Sequence, residues 1–174
     1  MKNLLVIVDM QNGFMNEHTK HLESDICRFI DANKDLFNGV VATQYVNNLN
    51  TPCSVFEGWT DCMDGTEDAE LLPSIASRVD KVFKKDVYSC WEDMCAYVKA
   101  HEIDKLYFVG VNTGCCVLHS AFDFYNHLID CSVISDLCGS TSGIKSHEAA
   151  LMILSECITS QRVLTSEQVV KELS

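Results

Sequence analysis

Residues 106–135 read LYFVGVNTGCCVLHSAFDFYNHLIDCSVIS. The stretch opens on Leu106-Tyr107-Phe108-Val109, a short apolar run without alternation, which is the pattern of a strand buried on both faces. Gly110 and Gly114 then interrupt the run. From 115 to 128 the spacing becomes helical, with Val117, Ala121, Phe124 and Leu128 on one face. Ser132-Val133-Ile134-Ser135 returns to strand. Two buried strands joined through a helix make a parallel unit with a right-handed crossover.

The same alternation extends in both directions. Leu4-Leu5-Val6-Ile7-Val8 is a first strand bounded by Asp9 and Gly13, and Gly39-Val40-Val41-Ala42-Thr43 is a second. Residues 22–37 have helical spacing, with Leu22, Ile26, Phe29, Ile30 and Phe37 on one side. Val79 to Lys84 reads as a third strand, and Ser89 with Glu92 is a capping box opening a helix whose inner face is Met94, Tyr97 and Val98. After the fifth strand come a helix from Ile144 to Cys157, a weak sixth strand near 160–164, and a last helix capped by Thr165 with Gln168. Residues 46–70 are polar and irregular, a long loop of the kind that carries function. The expectation is one three-layer α/β/α domain over residues 1–174, with a six-stranded parallel sheet of Rossmann-like topology.

The 174 residues carry 13 Lys+Arg and 25 Asp+Glu, a net charge of −12 that argues against nucleic acid and anionic membranes as partners. No run of 18 apolar residues occurs, so a soluble, unexported, cytoplasmic protein is expected. The 10 cysteines form no C-x2-C pair and sit within apolar patterns, which reads as buried, reduced thiols and not as zinc knuckles or a disulfide framework. Neither a G-x-G-x-x-G nor a P-loop motif is present.

In an open parallel sheet, ligands bind beyond the carboxyl ends of the strands. The residues there are Asp9, Tyr45, Lys84-Lys85, and Asn112 followed by Cys115-Cys116. A carboxylate, an ammonium and a thiol converging on one cleft suffice for covalent acyl transfer. Cys116 lies in the first turn of a helix, whose positive end favours the thiolate and whose amides can hold an oxyanion; its structural alternative is one more buried cysteine. Cys115 competes for the role, and neighbouring helical residues point about 100° apart, so only one of the two is expected to face the cleft. Asp9 could instead cap a loop, and the lysines could be a solvated pair of which one turns inward. His119 follows Cys116 by one turn and could pair with it or sit on the surface, while His147 shares a face with Ile144, Leu151 and Leu154 and reads as a core histidine. Phe14 and Trp91 either wall a pocket or pack in the core.

Leu4-Leu5-Val6-Ile7-Val8-Asp9-Met10-Gln11-Asn12-Gly13-Phe14 resembles the LLVVDMQNDF opening of the isochorismatase-like cysteine hydrolases. Lys85-Asp86-Val87-Tyr88-Ser89-Cys90-Trp91 is similar to their Lys-x-x-Tyr-Ser-Ala-Phe segment, and Gly110 to Val117 to their Gly-Val-x-Thr-x-x-Cys-Val. Asp123, Asp136 and the run from Ser146 to Leu151 also fit. The resemblance selects Lys85 over Lys84 and Cys116 over Cys115. It implies an Asp9–Lys85–Cys116 triad and a non-proline cis peptide at Val111-Asn112 that aims the amides of Asn112 and Cys116 at the substrate oxygen. A homodimer or homotetramer is implied as well. Gly13 stands where an Asp is usual, and Cys90-Trp91 replaces Ala-Phe. The nicotinamidase branch binds a metal through Gln-Asp-x-His after the second strand; here that stretch is Gln44-Tyr45-Val46-Asn47, so no metal and no other cofactor is expected.

The resulting expectation is a metal-independent cysteine hydrolase that cleaves a C–N bond of a small amide, ureido or carbamoyl compound through a Cys116 thioester. Phe14, Tyr45 and Trp91 are its candidate pocket residues, and 44–70 its specificity segment. One alternative is a vinyl-ether hydrolase of the isochorismatase type using Asp9 as general acid. Another is a non-catalytic or flavin-binding α/β module.

Overall fold

Every residue of Asn3–Val8 (β1) is buried, and its side chains divide alternately between two cores. Leu4, Val6 and Val8 enter one core, and Leu5 and Ile7 the other. That is the period-2 geometry of a strand covered on both faces. Each such fully buried aliphatic side chain contributes about 1.5–3 kcal/mol. The computed structural model, which describes all 174 residues, continues with α1 (His21–Asn33), β2 (Val40–Tyr45), α2 (Pro52–Glu57), α3 (Pro73–Ala76) and β3 (Lys81–Lys85). Beyond these lie α4 (Trp91–Ala100), β4 (Lys105–Val111), α5 (Leu118–Asn126), β5 (Asp130–Gly139), α6 (Ile144–Cys157), β6 (Val163–Leu164) and α7 (Ser166–Leu173).

All strand pairs are parallel, in the order β3-β2-β1-β4-β5-β6. Helices α4, α5 and α6 cover one face through Met94, Val98, Ala121, Phe124 and Leu154. The other face is covered by α1, α3 and α7 through Leu22, Ile26, Ile75 and Val169. The chain reverses its direction of travel across the sheet between β1 and β4, which opens a crevice at the carboxyl ends of those two strands. There β4 and β1 come so close that a Cβ on Gly110 (φ 108°) would clash with the Val8 carbonyl oxygen. No helix is long and apolar enough to cross a membrane.

Several local expectations need correction. The first helix ends at Asn33, a 3-10 turn comes next, and Phe37 is buried from extended backbone. No capping box forms at Ser89: Cys90 is the N-cap, and Ser89 Oγ accepts the Trp91 N–H at 3.1 Å. Leu128 lies beyond the end of α5 and is 93% exposed, and Ile144 is likewise exposed. The segment 46–70 is not irregular throughout. Thr51 accepts the Ser54 N–H, Pro52 starts α2, and Gly58 ends it at φ 67°. Those are ordinary helix start and stop signals that a six-residue helix leaves without periodicity to support them. The Thr165–Gln168 capping box forms in both directions.

Candidate active site

Asp9 comes directly after β1 and adopts φ 48°, a left-handed conformation that Asp tolerates better than most residues. Its Oδ2 accepts a hydrogen bond from Lys85 Nζ at 2.7 Å, and its Oδ1 accepts one from Thr43 Oγ1 at 2.6 Å. Lys85 is the last residue of β3 and spans the end of β2 to reach the crevice. Its other two ammonium protons go to the Val87 carbonyl at 3.1 Å and to Cys116 Sγ at 3.3 Å. The Lys85 and Asp9 side chains are 0% and 1% exposed. A dry ion pair of this kind is a weak source of stability, because desolvation offsets the attraction, and a specific geometry is what it secures.

Cys116 lies in a π turn (Thr113–Val117) between β4 and α5, after a cis peptide at Val111-Asn112. The Cys115 and Val117 N–H groups both donate to the Asn112 carbonyl, and the Asn112 side chain accepts the Thr141 N–H at 2.7 Å. Thr113 Oγ1 donates to the Gly139 carbonyl and accepts from His147 Nδ1 at 2.8 Å, which anchors the turn to β5 and α6. His147 is thus a satisfied, half-buried histidine.

Burial and the Asp9 carboxylate hold the Cys116 thiol well above the ordinary cysteine range, and the Lys85 ammonium only partly offsets them. The packed surroundings of Cys116 therefore oppose the thiolate that a helix N-terminus by itself would favour. Burial opposes the Lys85 charge, but the Asp9 carboxylate beside it outweighs burial and raises the ammonium above the ordinary lysine range.

Asp9, Asn112 and Cys116 line a cleft of about 310 Å³ walled by Phe14, Tyr45, Trp59 and Tyr88. Phe14 stacks on Trp59 with centroids 6.2 Å apart, and Tyr45 meets Trp59 at 5.8 Å. Cys53, Glu57 and Asp61 also line it, so five of its wall residues come from segment 44–70. A larger hollow of about 630 Å³ at the amino ends of β2 and β3 is lined by the Asp31–Arg78 ion pair and contains no thiol.

Trp91 is the sequence candidate that the structure takes away from the cleft. It packs edge-on to Phe124 at 5.0 Å and stacks on His127 at 3.9 Å, so its ring serves α4–α5 packing. Cys115 does line the cleft together with Cys116, contrary to the single-residue expectation, because the segment is a π turn and not a regular helix. Lys84 is exposed near Asp64, and His119 is exposed with Nδ1 donating to the Cys115 carbonyl. Cys90 has its thiol pushed up to about 12 by burial. Sequence reading missed Thr43, Trp59 and Tyr88. A threonine inside the otherwise apolar VVAT run was the available signal for the first, since a buried hydroxyl needs a partner.

The donor set after β2 does not fit a metal. The Tyr45 hydroxyl donates to Asn47 Oδ1 at 3.5 Å, and its ionisation is pushed up by burial. Asn47 is consumed: its Nδ2 donates to the Trp59 and Asp61 carbonyls, and its Oδ1 accepts from Thr51 and Ser54 hydroxyls. Gly13, another departure from the family pattern, is required by close packing. A Cβ there would lie 2.8 Å from Cys62 Sγ and 3.0 Å from the Asp68 carbonyl oxygen.

Comparison with known proteins agrees with this frame. The isochorismatase domain profile matches residues 3–168. Isochorismatase family protein 1B of Dictyostelium discoideum is 27% identical over 146 residues, covering 79% of this chain and 63% of that protein. The chain thus matches less than two thirds of that relative's length. A nicotinamidase of Acinetobacter baylyi is 26% identical over 170 residues, covering 77% of this chain and 79% of its own. Among solved structures, an isochorismatase-like hydrolase from Alkaliphilus metalliredigens superposes with a TM-score of 0.86 at 22% identity, covering 100% of both chains.

Proposed function

The chain belongs to the isochorismatase family of hydrolases, and on that premise we propose that it is a metal-independent cysteine hydrolase cleaving a C–N bond of a small amide, ureido or carbamoyl compound. One observation carries the reading: a single buried ammonium binds both the Asp9 carboxylate and the Cys116 sulfur at the floor of an open cleft. A nucleophile and its base, held by a third group, are the parts that covalent acyl transfer requires.

In the proposed mechanism Asp9 takes the Cys116 proton as sulfur attacks the carbonyl carbon. The C=O π pair moves onto oxygen, and the backbone amides of Asn112 and Cys116 receive the oxyanion, each well-placed donor being worth about 3–4 kcal/mol. The pair returns, the C–N bond breaks, and protonated Asp9 gives its proton to the departing ammonia or amine. Water then adds to the thioester with Asp9 as base, releasing the acid and regenerating the thiol. Lys85 stays protonated throughout and orients both partners.

We also assign the enzyme to the reducing cytoplasm, a reading supported by ten free thiols. A homodimer or homotetramer is proposed, and light scattering on the purified protein tests it.

The deciding experiment measures ammonia release from a panel of small amides and ureides by wild type and Cys116→Ala, with chelator present and folding checked by circular dichroism. Release that survives chelation and is abolished by Cys116→Ala supports the proposal. Wild-type activity in Cys116→Ala overturns it in favour of vinyl-ether hydrolysis with Asp9 as general acid.

A further inference from the structure

We infer that the substrate carries a positive charge: the cleft selects a small cationic amide or ureide, such as one bearing a quaternary ammonium or guanidinium group. The inference rests on the cysteine-hydrolase reading for the reaction, and on the cleft walls for the charge.

Beyond the floor residues, the acidic side chains of the cleft wall are Glu57 and Asp61. Neither forms an ion pair. No Lys or Arg lines the cleft, and the nearby Lys85 is fully covered with all three protons committed. An anionic substrate would therefore meet two uncompensated carboxylates and no counter-charge.

The aromatic wall is the independent observation. Trp59 stacks on Phe14 and tilts against Tyr45, and these three rings line the cleft together with Tyr88; the Tyr45 ring already holds a cation, the Lys85 ammonium, 5.2 Å from its centroid. Trp59 Nε1 donates to Asp61 Oδ2 at 3.1 Å, which holds a carboxylate at the edge of the indole. Aromatic faces ringed by carboxylates are the chemistry that binds alkylammonium and guanidinium groups. A neutral aromatic substrate would use the faces but would gain nothing from the carboxylates. The chain's net charge of −12 adds a long-range field that draws cations toward the protein.

Two isosteric amides test the idea. Trimethylammonioacetamide and 3,3-dimethylbutanamide differ only in having N⁺ or C at the branched centre. Wild type is expected to show a kcat/KM about tenfold or more higher for the cation, shrinking as salt is raised. Most of that preference should be lost in Glu57→Gln/Asp61→Asn. Equal or better turnover of the neutral amide overturns the charge preference while leaving the hydrolase reading standing. The same pair is titrated calorimetrically into Cys116→Ala. Tighter binding of the cation, without ammonia release by wild type, supports the charge preference and sinks the hydrolase reading. If the cation is neither hydrolysed nor bound more tightly, the charge preference is wrong.

Discussion

Thr43 clamps Asp9 from the side opposite Lys85: its Oγ1 donates to Asp9 Oδ1 at 2.6 Å and accepts the Asp9 N–H at 3.2 Å. Both carboxylate oxygens are thereby directed, and the hydroxyl contributes through orientation without touching the thiol. Thr43→Val keeps the shape and removes the clamp. Steady-state kinetics should show kcat reduced by about tenfold or more with a smaller change in KM, and urea unfolding should show a loss of about 1.5–3 kcal/mol, the range for a hydrogen bond to a charged group.

Lys85→Met leaves the Asp9 carboxylate buried without its counter-charge. Breaking one side of such a pair costs about 3–5 kcal/mol. The double variant Asp9→Asn/Lys85→Met removes both charges, so its loss on urea unfolding should be clearly less than the sum of the two single losses. Additive losses would mean that the ion pair is not coupled as its 2.7 Å contact implies.

The reactivity of Cys116 should track the groups around it. Because burial and Asp9 raise the thiol, the thiolate fraction at pH 7 is small and grows as pH rises. Alkylation of Cys116 by iodoacetamide, read by intact mass and peptide mapping, should quicken about tenfold per pH unit through pH 9, as for any titration below the pKa. Asp9→Asn removes a charge that raises the thiol and keeps Lys85, which lowers it. That variant should alkylate faster than wild type at pH 7 although it hydrolyses nothing. An unchanged rate would place Asp9 outside the thiol's electrostatic reach, and a slower one would mean that Asp9 assists ionisation of the thiol and does not oppose it.

Restoring the aspartate usual in the family at position 13 should harm this chain. Gly13→Asp puts a Cβ into Cys62 Sγ and the Asp68 backbone, and the latter cannot yield as a flexible side chain would. A loss of about 1–3 kcal/mol is expected, typical of overpacking. Thermal unfolding against Gly13→Ala checks this, since the alanine carries the same clash without the charge.

Much of the candidate site is legible in the sequence because it sits at strand ends. Asp9 and the Cys115-Cys116 pair stand just past the carboxyl ends of apolar runs, and finding those ends needs only local periodicity. The choice of Lys85 came from the family resemblance, because alternation alone says that one of two adjacent lysines turns inward but not which. Trp91 misled because an aromatic residue just after a functional segment has the same local pattern whether it faces the ligand or the neighbouring helix. Segment 46–70 shows no period because α2 is too short to repeat one, yet Thr51, Pro52 and Gly58 mark the ends of that helix.

The sequence by itself determined the layered α/β domain, the parallel sheet with both faces covered, and the strand ends from which the site is built. These arise from side-chain periodicity and burial, which are properties of consecutive residues. Only the tertiary structure decided that Thr43 grips Asp9, that Cys115 shares the cleft with Cys116, that Trp59 and Tyr88 wall it, and that burial and Asp9 oppose ionisation of the Cys116 thiol. Each of those depends on distance and desolvation between residues from different strands and loops, and only the packed fold sets these.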